Sequence, residues 1–174
     1  MSGKIFLFSD PHFGHKNMAI KRGFETVEEH DEHIVEKWNS VVGKRDVVYL
    51  LGDITMEKAN YDILDRLNGW KKVILGNHDK PQHIPELLKH VNSVCSMFQL
   101  KGCMLTHCPI HPFESNRFKL NIHGHVHDKT LDDIRYFNVS AENIDYTPIL
   151  LEEIHLIVDR AKAFVDAIRR TSEK

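Results

Sequence analysis

The chain has 174 residues, the usual size of one domain, and its 41% hydrophobic and 28% charged residues are ordinary for a soluble globular protein. This composition excludes a disordered or collagen-like chain, and a formal net charge of -2 provides no basic field for gathering nucleic acid or anionic lipid. Histidine is abundant, with 13 copies, and it is the commonest metal ligand in proteins. We therefore expect a single domain over residues 1–174 and ask how its histidines are organised.

The cysteines and the apolar runs predict a cellular setting. Three cysteines occur without a CxxC pair, which favours a reduced, intracellular protein over a disulfide framework. The apolar run at residues 5–8 is too short for a signal peptide, and the longest run, 47–51, is far below the ~20 residues that span a bilayer. The sequence predicts a soluble, cytoplasmic protein with no membrane partner.

Short apolar runs alternate with segments of helical spacing along the chain. Runs rich in β-branched and aromatic residues predict strands at 5–8, 47–51, 73–75, 94–98, 104–105 and 121–122, and more weakly at 134–139 and 148–150. Apolar residues at helical spacing predict helices at 27–42, 60–68, 84–91 and 154–168. This order of elements is typical of a layered α/β domain.

Metal-ligand side chains follow five of the predicted strands directly. They are Asp10 and His12 after the first strand, Asp53 after the second, Asn77, His78 and Asp79 after the third, His107 after the run at 104–105, and His125 and His127 after the run at 121–122. In open α/β sheets, sites assemble outside the carboxyl ends of the strands. We therefore expect these side chains to meet at one site.

The number of candidate ligands indicates two metal ions. The seven are Asp10, His12, Asp53, Asn77, His107, His125 and His127. Seven are too many for one tetrahedral ion, but one shared carboxylate would give four bonds to each of two ions. Imidazole and oxygen ligands suit two divalent transition metal ions, Mn²⁺ first and Fe, Ni²⁺ or Zn²⁺ as alternatives, and leave a net positive site for an anionic substrate.

Three glycines accompany these ligands. Gly52, Gly76 and Gly124 each stand beside a ligand residue. We expect sharp turns there and a close approach of the backbone to the metal ions.

The ordered motifs resemble the motif set of the calcineurin-like metallophosphoesterases across residues 5–127. The matching segments are Asp10-x-His12, Gly52-Asp53, Gly76-Asn77-His78-Asp79, His107 and Gly124-His125-x-His127. The resemblance implies a two-sheet sandwich flanked by helices, in four α-β-β-α layers, with a dinuclear centre. It assigns Asp10, His12, Asp53 and His127 to one ion and Asp53, Asn77, His107 and His125 to the other, with Asp53 bridging.

The same resemblance implies the catalytic roles. His78 matches the histidine that stabilises the phosphoryl transition state and protonates the leaving oxygen, and Asp79 would orient His78 and hold it cationic. The implied reaction is hydrolysis of phosphodiester bonds, and also of phosphomonoesters, by a metal-activated hydroxide.

Two departures narrow the substrate class. After Asp53 the sequence lacks the Asp and Arg that protein serine/threonine phosphatases carry in this motif, so a protein phosphatase is disfavoured. Only 28 residues separate His78 from His107, which leaves no room for a capping domain and favours an open cleft. The segments Asp-Pro-His-Phe-Gly-His at 10–15 and Arg22-Gly23-Phe24 resemble compact bacterial and phage phosphoesterases. An open cleft favours a small phosphate-ester or nucleotide-like substrate.

Several alternatives stay open. A small nuclease or nucleotidase could use the same site, although no stable nucleic-acid complex is expected from the charge. A non-catalytic interaction protein on this fold is the other class, and the oligomeric state is open. His15, His111, His123 and Arg117 are candidates for contacts to ligands or substrate, and Cys108 for packing. The remaining histidines are expected at the surface; they are His30, His33, His83, His90 and His155.

Overall fold

The computed structural model describes residues 3–56 and 61–172. Its strands are β1 (Ile5–Phe8), β2 (Val47–Leu50), β3 (Trp70–Ile74), β4 (Ser93–Cys95), β5 (Met97–Leu100), β6 (Cys103–Thr106), β7 (Leu120–His123), β8 (Tyr136–Asn138) and β9 (Ile149–Leu150). Its α-helices are α1 (Lys16–Lys21), α2 (Val27–Val41), α3 (Ile84–Leu87), α4 (Pro112–Ser115) and α5 (Leu151–Ser172). Short 3₁₀ helices lie at Asp62–Arg66, Pro81–His83 and Ala141–Ile144.

The strands form two sheets. The first has the order β4-β3-β2-β1-β9, in which β1 to β4 run parallel and β9 pairs antiparallel with β1. The second has the order β5-β6-β7-β8, in which β6, β7 and β8 run parallel and β5 is antiparallel. Helices flank the sheets, so the predicted α/β two-sheet sandwich is confirmed, whereas the single domain over 1–174 stays a prediction.

Strand β1 is buried on both faces, which explains its continuous apolar run. Phe6 and Phe8 face the helix-side core, where the Phe8 ring lies 5.6 Å from that of Trp38 on α2. Leu7 points the other way, into a second core that it shares with Leu105 and other side chains of the second sheet. Because alternate side chains of β1 pack into different cores, the strand is held from both faces, and the residues that follow it have a fixed position.

The prediction of one strand over 94–98 is wrong. The segment contains the end of β4 and the start of β5, and these strands belong to different sheets. The chain crosses between the sheets at Ser96, a change of partner that an unbroken apolar run does not reveal. This crossing carries β6 and β7 to the second sheet, so the ligands that follow them arrive from a different layer.

Two predicted helices are shorter than expected. The segment 60–68 forms a 3₁₀ helix over Asp62–Arg66, and its residue 60 lies outside the described residues. The segment 84–91 is helical only over Ile84–Leu87. The helical turns bury Leu64 and Leu87, while Tyr61, Leu67 and Val91 enter the same core from outside the helical turns.

The C-terminal helix is confirmed and runs from Leu151 to Ser172. Its first two turns bury Leu151, Ile154 and Val158 in the core between the sheets. None of the helices within residues 3–56 and 61–172 combines the length and apolar character that crossing a bilayer requires.

Candidate metal centre

The ends of five strands bring all the predicted ligands to one place. Backbone hydrogen bonds join the segments that follow β1 and β2, from Asp10 N to Gly52 O (3.1 Å) and from His12 N to Asp53 O (3.0 Å). In the second sheet, Gly124 N donates to His107 O at 2.9 Å. The two layers meet where Ser9 pairs with Ser140 in a parallel bridge. The site therefore sits at the shared carboxyl edge of both sheets.

The backbone of the ligand residues adopts a conformation that most side chains avoid. Eight non-glycine residues have positive φ in the described part of the chain, and five of them are predicted ligands. These five are Asp10 (58°), His12 (51°), Asp53 (54°), His125 (71°) and His127 (54°). Such conformations cost on the order of 1–3 kcal/mol each and concentrate at functional sites. Because the positive φ values coincide with the predicted ligands, the surrounding fold must hold these residues in a backbone conformation that they do not favour on their own.

The three motif glycines allow this crowding. Gly52 has a φ of +90°, and a Cβ there would meet the backbone of Gly76 and lie 2.8 Å from His107 Nδ1. A Cβ on Gly76 would overlap the Asp53 carboxylate, and one on Gly124 would overlap Asp10. The prediction of a sharp turn is confirmed at Gly52. At Gly76 and Gly124 the need is for space beside a ligand carboxylate.

Asp10, His12 and His127 form the first group of ligand atoms. One donor atom from each lies within 4.8 Å of the others, and the rings of His12 and His127 stack at 5.2 Å. Asp10 Oδ2 accepts hydrogen bonds from His125 N and Ser140 Oγ, both at 2.9 Å. These bonds leave Asp10 Oδ1 for a metal ion.

Asn77, His107 and His125 form the second group. Asn77 Oδ1 lies 2.9 Å from His107 Nε2, and His125 Nδ1 lies 3.2 Å from the same nitrogen. His107 Nδ1 donates to Leu51 O at 2.7 Å, which leaves the Nε2 lone pair facing the other ligands. Cys108 also brings its sulfur within 4.8 Å of donor atoms of His107 and His125, so it lies at the site and the expected packing role does not describe it.

Asp53 stands between the two groups. Its Oδ2 lies 3.7 Å from His12 Nε2 and 3.5 Å from His107 Nε2. Its Oδ1 accepts a hydrogen bond from His78 N at 2.9 Å, which fixes the carboxylate. One oxygen facing both histidine groups is the geometry that a shared ligand requires.

The unsatisfied atoms of the site fit a bound cation. Five buried side-chain atoms lack a hydrogen-bond partner within the described residues, and three of them are Asp10 Oδ1, His12 Nδ1 and His12 Nε2. A buried polar atom left unpaired costs ~1–3 kcal/mol, so these three atoms call for a ligand. A carboxylate oxygen and an imidazole nitrogen side by side suit a transition metal ion.

Protonation states also suit metal binding. Burial lowers the pKa of His12 to about 3, so its imidazole is neutral at physiological pH. Burial alone would raise the pKa of Asp53, but hydrogen bonding and the charge of His107 lower it below its ordinary value. Asp53 in turn raises the pKa of His107 against the opposing effect of burial. Metal ligands must be deprotonated, and the Asp53 carboxylate and the His12 ring already are.

His78 lies at the mouth of the site. Its side chain is 43% exposed, and its Nε2 lies 3.9 Å from Asp53 Oδ2. The His78 ring centroid is 5.7 Å from that of His12. The ring can therefore reach a substrate bound over the Asp53 carboxylate from the solvent side.

Asp79 has a different role from the predicted one. Its Oδ2 accepts hydrogen bonds from the backbone N–H groups of Asp53 and Gly76, both at 2.8 Å, and its Oδ1 accepts one from Ile54 N at 3.1 Å. Burial raises the pKa of Asp79, and these three bonds oppose that effect. The expectation that Asp79 orients the His78 ring is corrected: its carboxylate ties the loop after β3 to the loop after β2.

Arg22 and Glu142 lie behind the first ligand group, although the sequence predicts no role for either residue. His127 Nδ1 donates to Glu142 Oε1 at 3.1 Å, which directs His127 Nε2 away from the carboxylate. Arg22 donates to the same oxygen through Nε at 2.9 Å and pairs with it through Nη2 at 2.8 Å. Burial would raise the pKa of Glu142, but His127 and Arg22 lower it to about 2.

The Arg22 guanidinium also holds the strained backbone of β1's end. It donates to Asp10 O at 2.8 Å and to Pro11 O at 3.0 Å. A further contact joins Arg22 Nη1 to His30 Nε2 at 2.9 Å, and His30 is fully buried, so its expected surface position is wrong. Glu142 lies 15 residues beyond His127 and no pattern marked it, whereas Arg22 stood out only as part of the family resemblance.

Replacing Arg22 with methionine is expected to weaken the first metal position. The change removes the bonds to Asp10 O, Pro11 O and Glu142 at once, and losing such supporting contacts typically lowers metal affinity by about 10–100-fold. Titration calorimetry with Mn²⁺ on the metal-free protein measures the effect. Glu142→Gln, which keeps the size of the side chain, should show a smaller loss of the same kind. Lys21→Met, at the neighbouring exposed cation, is the control, and equal affinities for all three variants would contradict this role.

The other candidates lie as follows. His15 Nδ1 accepts a hydrogen bond from Met18 N and caps α1, with its ring 5.9 Å from that of His12. His111 Nδ1 caps α4 by accepting from Phe113 N. His123 is fully buried beside Gly124, with Nδ1 2.9 Å from the Gly124 carbonyl oxygen. Arg117 is 75% exposed and pairs with Glu114. Within the described residues, its only ion pair is therefore with a residue outside the predicted ligand set.

Comparison with known proteins finds relatives over most of the chain. An uncharacterized protein of Methanocaldococcus jannaschii is 34% identical over 172 residues, covering 91% of this chain and 93% of the relative. A solved protein of unknown function from Aquifex aeolicus superposes with a TM-score of 0.72 at 25% identity, covering 89% of this chain and 99% of that one. A weaker likeness, with a TM-score of 0.46 at 17% identity over 78% of this chain and 82% of the other, is to an archaeal phosphodiesterase. No protein-family model matches the sequence.

Proposed function

We propose that the chain is a calcineurin-like metallophosphoesterase, as its ordered motifs imply, and that it hydrolyses phosphodiester bonds with two divalent transition metal ions. The observation that carries the proposal is the position of Asp53. Its Oδ2 faces His12 Nε2 at 3.7 Å and His107 Nε2 at 3.5 Å, which is what a carboxylate shared by two ions needs. The single domain over residues 1–174 is part of this proposal.

Each ion would be held by four residues. Asp10, His12, Asp53 and His127 would hold the first, and Asp53, Asn77, His107 and His125 the second. Mn²⁺ is the first choice for both positions, because four of the seven ligands are imidazoles and the other three are oxygen donors. When bound, such ions neutralise charge on phosphoryl oxygens and make water a stronger nucleophile at neutral pH.

The chain's own groups divide the remaining work. His78 would donate a proton from Nε2 to the leaving oxygen, because its exposed ring stands over Asp53 on the solvent side. Asp79 would hold the loops after β2 and β3 together by accepting hydrogen bonds from three of their backbone N–H groups. Arg22 and Glu142 would fix His127 and the Asp10 backbone.

An open site favours a diester or nucleotide-like substrate. Asn77 and His78 are both exposed, and the segment between His78 and His107 forms only short helical turns and strands. A diester carries a substituent on each side of phosphorus, so it needs a cleft that is open at both ends. Phosphomonoesters would be secondary substrates, and no stable complex with nucleic acid is proposed.

A substrate panel tests the proposed function. The chelator-treated protein is assayed with aryl monoesters, aryl diesters, cyclic nucleotides and short DNA and RNA, after adding Mn²⁺, Ni²⁺, Zn²⁺ or Mg²⁺. We expect no turnover without metal, the highest rate with Mn²⁺, and a preference for the aryl diester over the monoester. Elemental analysis should give two ions per chain. Turnover by the metal-free protein, or none with any metal, would refute the proposal, and a preference for oligonucleotides would favour the nuclease alternative.

A further inference from the structure

Helix α5 extends well beyond the core that supports it. The helix has 22 residues, about 33 Å at 1.5 Å per residue, and its last buried residue is Val158. Beyond Val158, Lys162 alone is partly covered among the described side chains. Isolated helices shorter than ~12–15 residues are marginal in water, so burial of the exposed apolar side chains in the second half of α5 would stabilise it beyond what packing on residues 3–56 and 61–158 provides.

The projecting part of α5 carries an apolar seam. The seam consists of Ile157, Ala161, Phe164 and Ile168, at spacings of four, three and four residues. This spacing places them on one face of the helix, as the core positions of paired helices are. Phe164 is 68% exposed and Ile168 is 48% exposed. The rest of the projecting surface is mixed: it carries the charged residues Asp159, Arg160, Asp166, Arg169 and Arg170, and also the partly exposed Val165.

A groove lined by both apolar and polar side chains lies beside the supported end of the seam. It has a volume of about 630 Å³, and Ile157 and Glu153 of α5 form one of its walls. Its other lining residues include the apolar Val41, Ile144, Ile149 and Leu150 and the polar Lys4 and Asn143. Each chain therefore has a protruding helix with an apolar seam. Beside that seam it has a groove that could accept the same helix of another copy.

We propose that α5 pairs antiparallel with α5 of a second copy of this chain, so that Phe164 and Ile168 of each copy enter the groove of the other. A two-fold axis between the copies makes the same surface serve on both sides and closes the assembly at two. This inference goes beyond the proposed hydrolysis and does not depend on it.

The charge pattern of α5 selects a second copy in the antiparallel orientation. The first half has a net charge of -2 and the second half +2; the contributing residues are Glu152, Glu153, Asp159 and Arg160, then Lys162, Asp166, Arg169 and Arg170. Antiparallel pairing sets -2 against +2 at both ends of the interface. Parallel pairing would set like charges together along the whole helix.

The size of the seam predicts a weak dimer. One aromatic side chain buries ~150–250 Å², and Phe164 with its partly exposed apolar neighbours would contribute on the order of 500 Å² per chain. Two copies would then bury on the order of 1,000 Å², at the low end of specific interfaces. We expect dimers at high micromolar concentration that dissociate on dilution.

Sedimentation velocity of the full chain across the micromolar range tests the pairing. The wild-type protein should shift from monomer to dimer as its concentration rises, and Phe164→Glu and Ile168→Glu should each remain monomeric. Leu156→Glu is the matched control, because Leu156 is 51% exposed on the same helix but lies outside the seam. A wild-type chain that stays monomeric throughout, or a dimer that survives both seam variants, would overturn the proposal.

Charge reversal tests the orientation. Arg169→Glu combined with Arg170→Glu makes both halves of α5 acidic and should weaken the dimer by at least tenfold in Kd. Adding Glu152→Lys and Glu153→Lys restores opposite signs across an antiparallel pair and should recover the dimer. If the variant with all four substitutions does not recover the dimer, antiparallel pairing is contradicted. Helicity by circular dichroism and hydrolytic rate, measured on each variant, separate loss of pairing from loss of fold or of the proposed activity.

Discussion

Replacing Asp53 with asparagine is expected to abolish hydrolysis and to weaken binding at both metal positions. In the wild-type structure, His78 N donates to Asp53 Oδ1 at 2.9 Å. The amide oxygen of asparagine can accept the same hydrogen bond, so the loop after β3 can stay in place. What the variant loses is the charge of Oδ2, which faces His12 and His107. Because this carboxylate serves both positions, we expect the rate to fall by about 10³-fold or more, equivalent to ~4 kcal/mol of transition-state stabilisation.

Metal content and rate, measured on the same protein, check this expectation. Elemental analysis should fall below two ions per chain for Asp53→Asn, and calorimetry with Mn²⁺ should show both binding events weakened. Asp128→Asn is the control, since Asp128 is an exposed carboxylate directly after the ligand His127. A variant that retains two tightly bound ions would contradict the bridging role even if its activity were lost.

The positions of the candidate ligands were predictable because strand ends determine them. Asp10, Asp53 and Asn77 follow parallel strands of one sheet, and His107 and His125 follow parallel strands of the other. An apolar run ending in Asp, Asn or His is visible in the sequence, and the carboxyl ends of parallel strands lie at one edge. The sequence did not reveal that these ligands come from two sheets, since the crossing at Ser96 leaves the apolar pattern unbroken.

The supporting residues were harder to predict because their contacts are distant in sequence. Arg22 bonds to Glu142, 120 residues away, and neither lies in a periodic pattern that points inward. Asp79 was misassigned for the opposite reason: it is adjacent to His78, but its carboxylate turns toward backbone amides 25 and 26 residues back in the chain. Adjacency in a motif indicates a shared loop, while the direction of each side chain depends on the packing around it.

Helix α5 shows a similar limit. Its apolar stripe predicted a helix packed on a sheet, which holds for Ile154 and Val158. The stripe continues to Ile168 without a change in period, although the protein surface that it could cover ends earlier. Periodicity identifies an apolar face, but it does not distinguish contact with the chain's own core from contact with another chain.

Replacing His78 with alanine is expected to leave metal binding intact and to remove most of the activity. The backbone N–H that positions Asp53 belongs to residue 78 whatever its side chain, so the variant loses only the ring. Loss of a general acid typically lowers the rate by about 10²–10⁴-fold. Two ions per chain should remain, in contrast to the result expected for Asp53→Asn.

The leaving group provides the decisive measurement for His78. An aryl leaving group such as nitrophenolate departs without a proton, whereas an alkyl or nucleoside oxygen needs one. His78→Ala should therefore lose far more activity on alkyl or nucleoside diesters than on nitrophenyl diesters, with KM little changed on both. His83→Ala, at a nearby histidine on the Pro81–His83 turn, is the matched control and should retain wild-type rates on both substrates. An equal loss on both diesters would show that the ring stabilises the phosphoryl group alone and does not protonate the leaving oxygen.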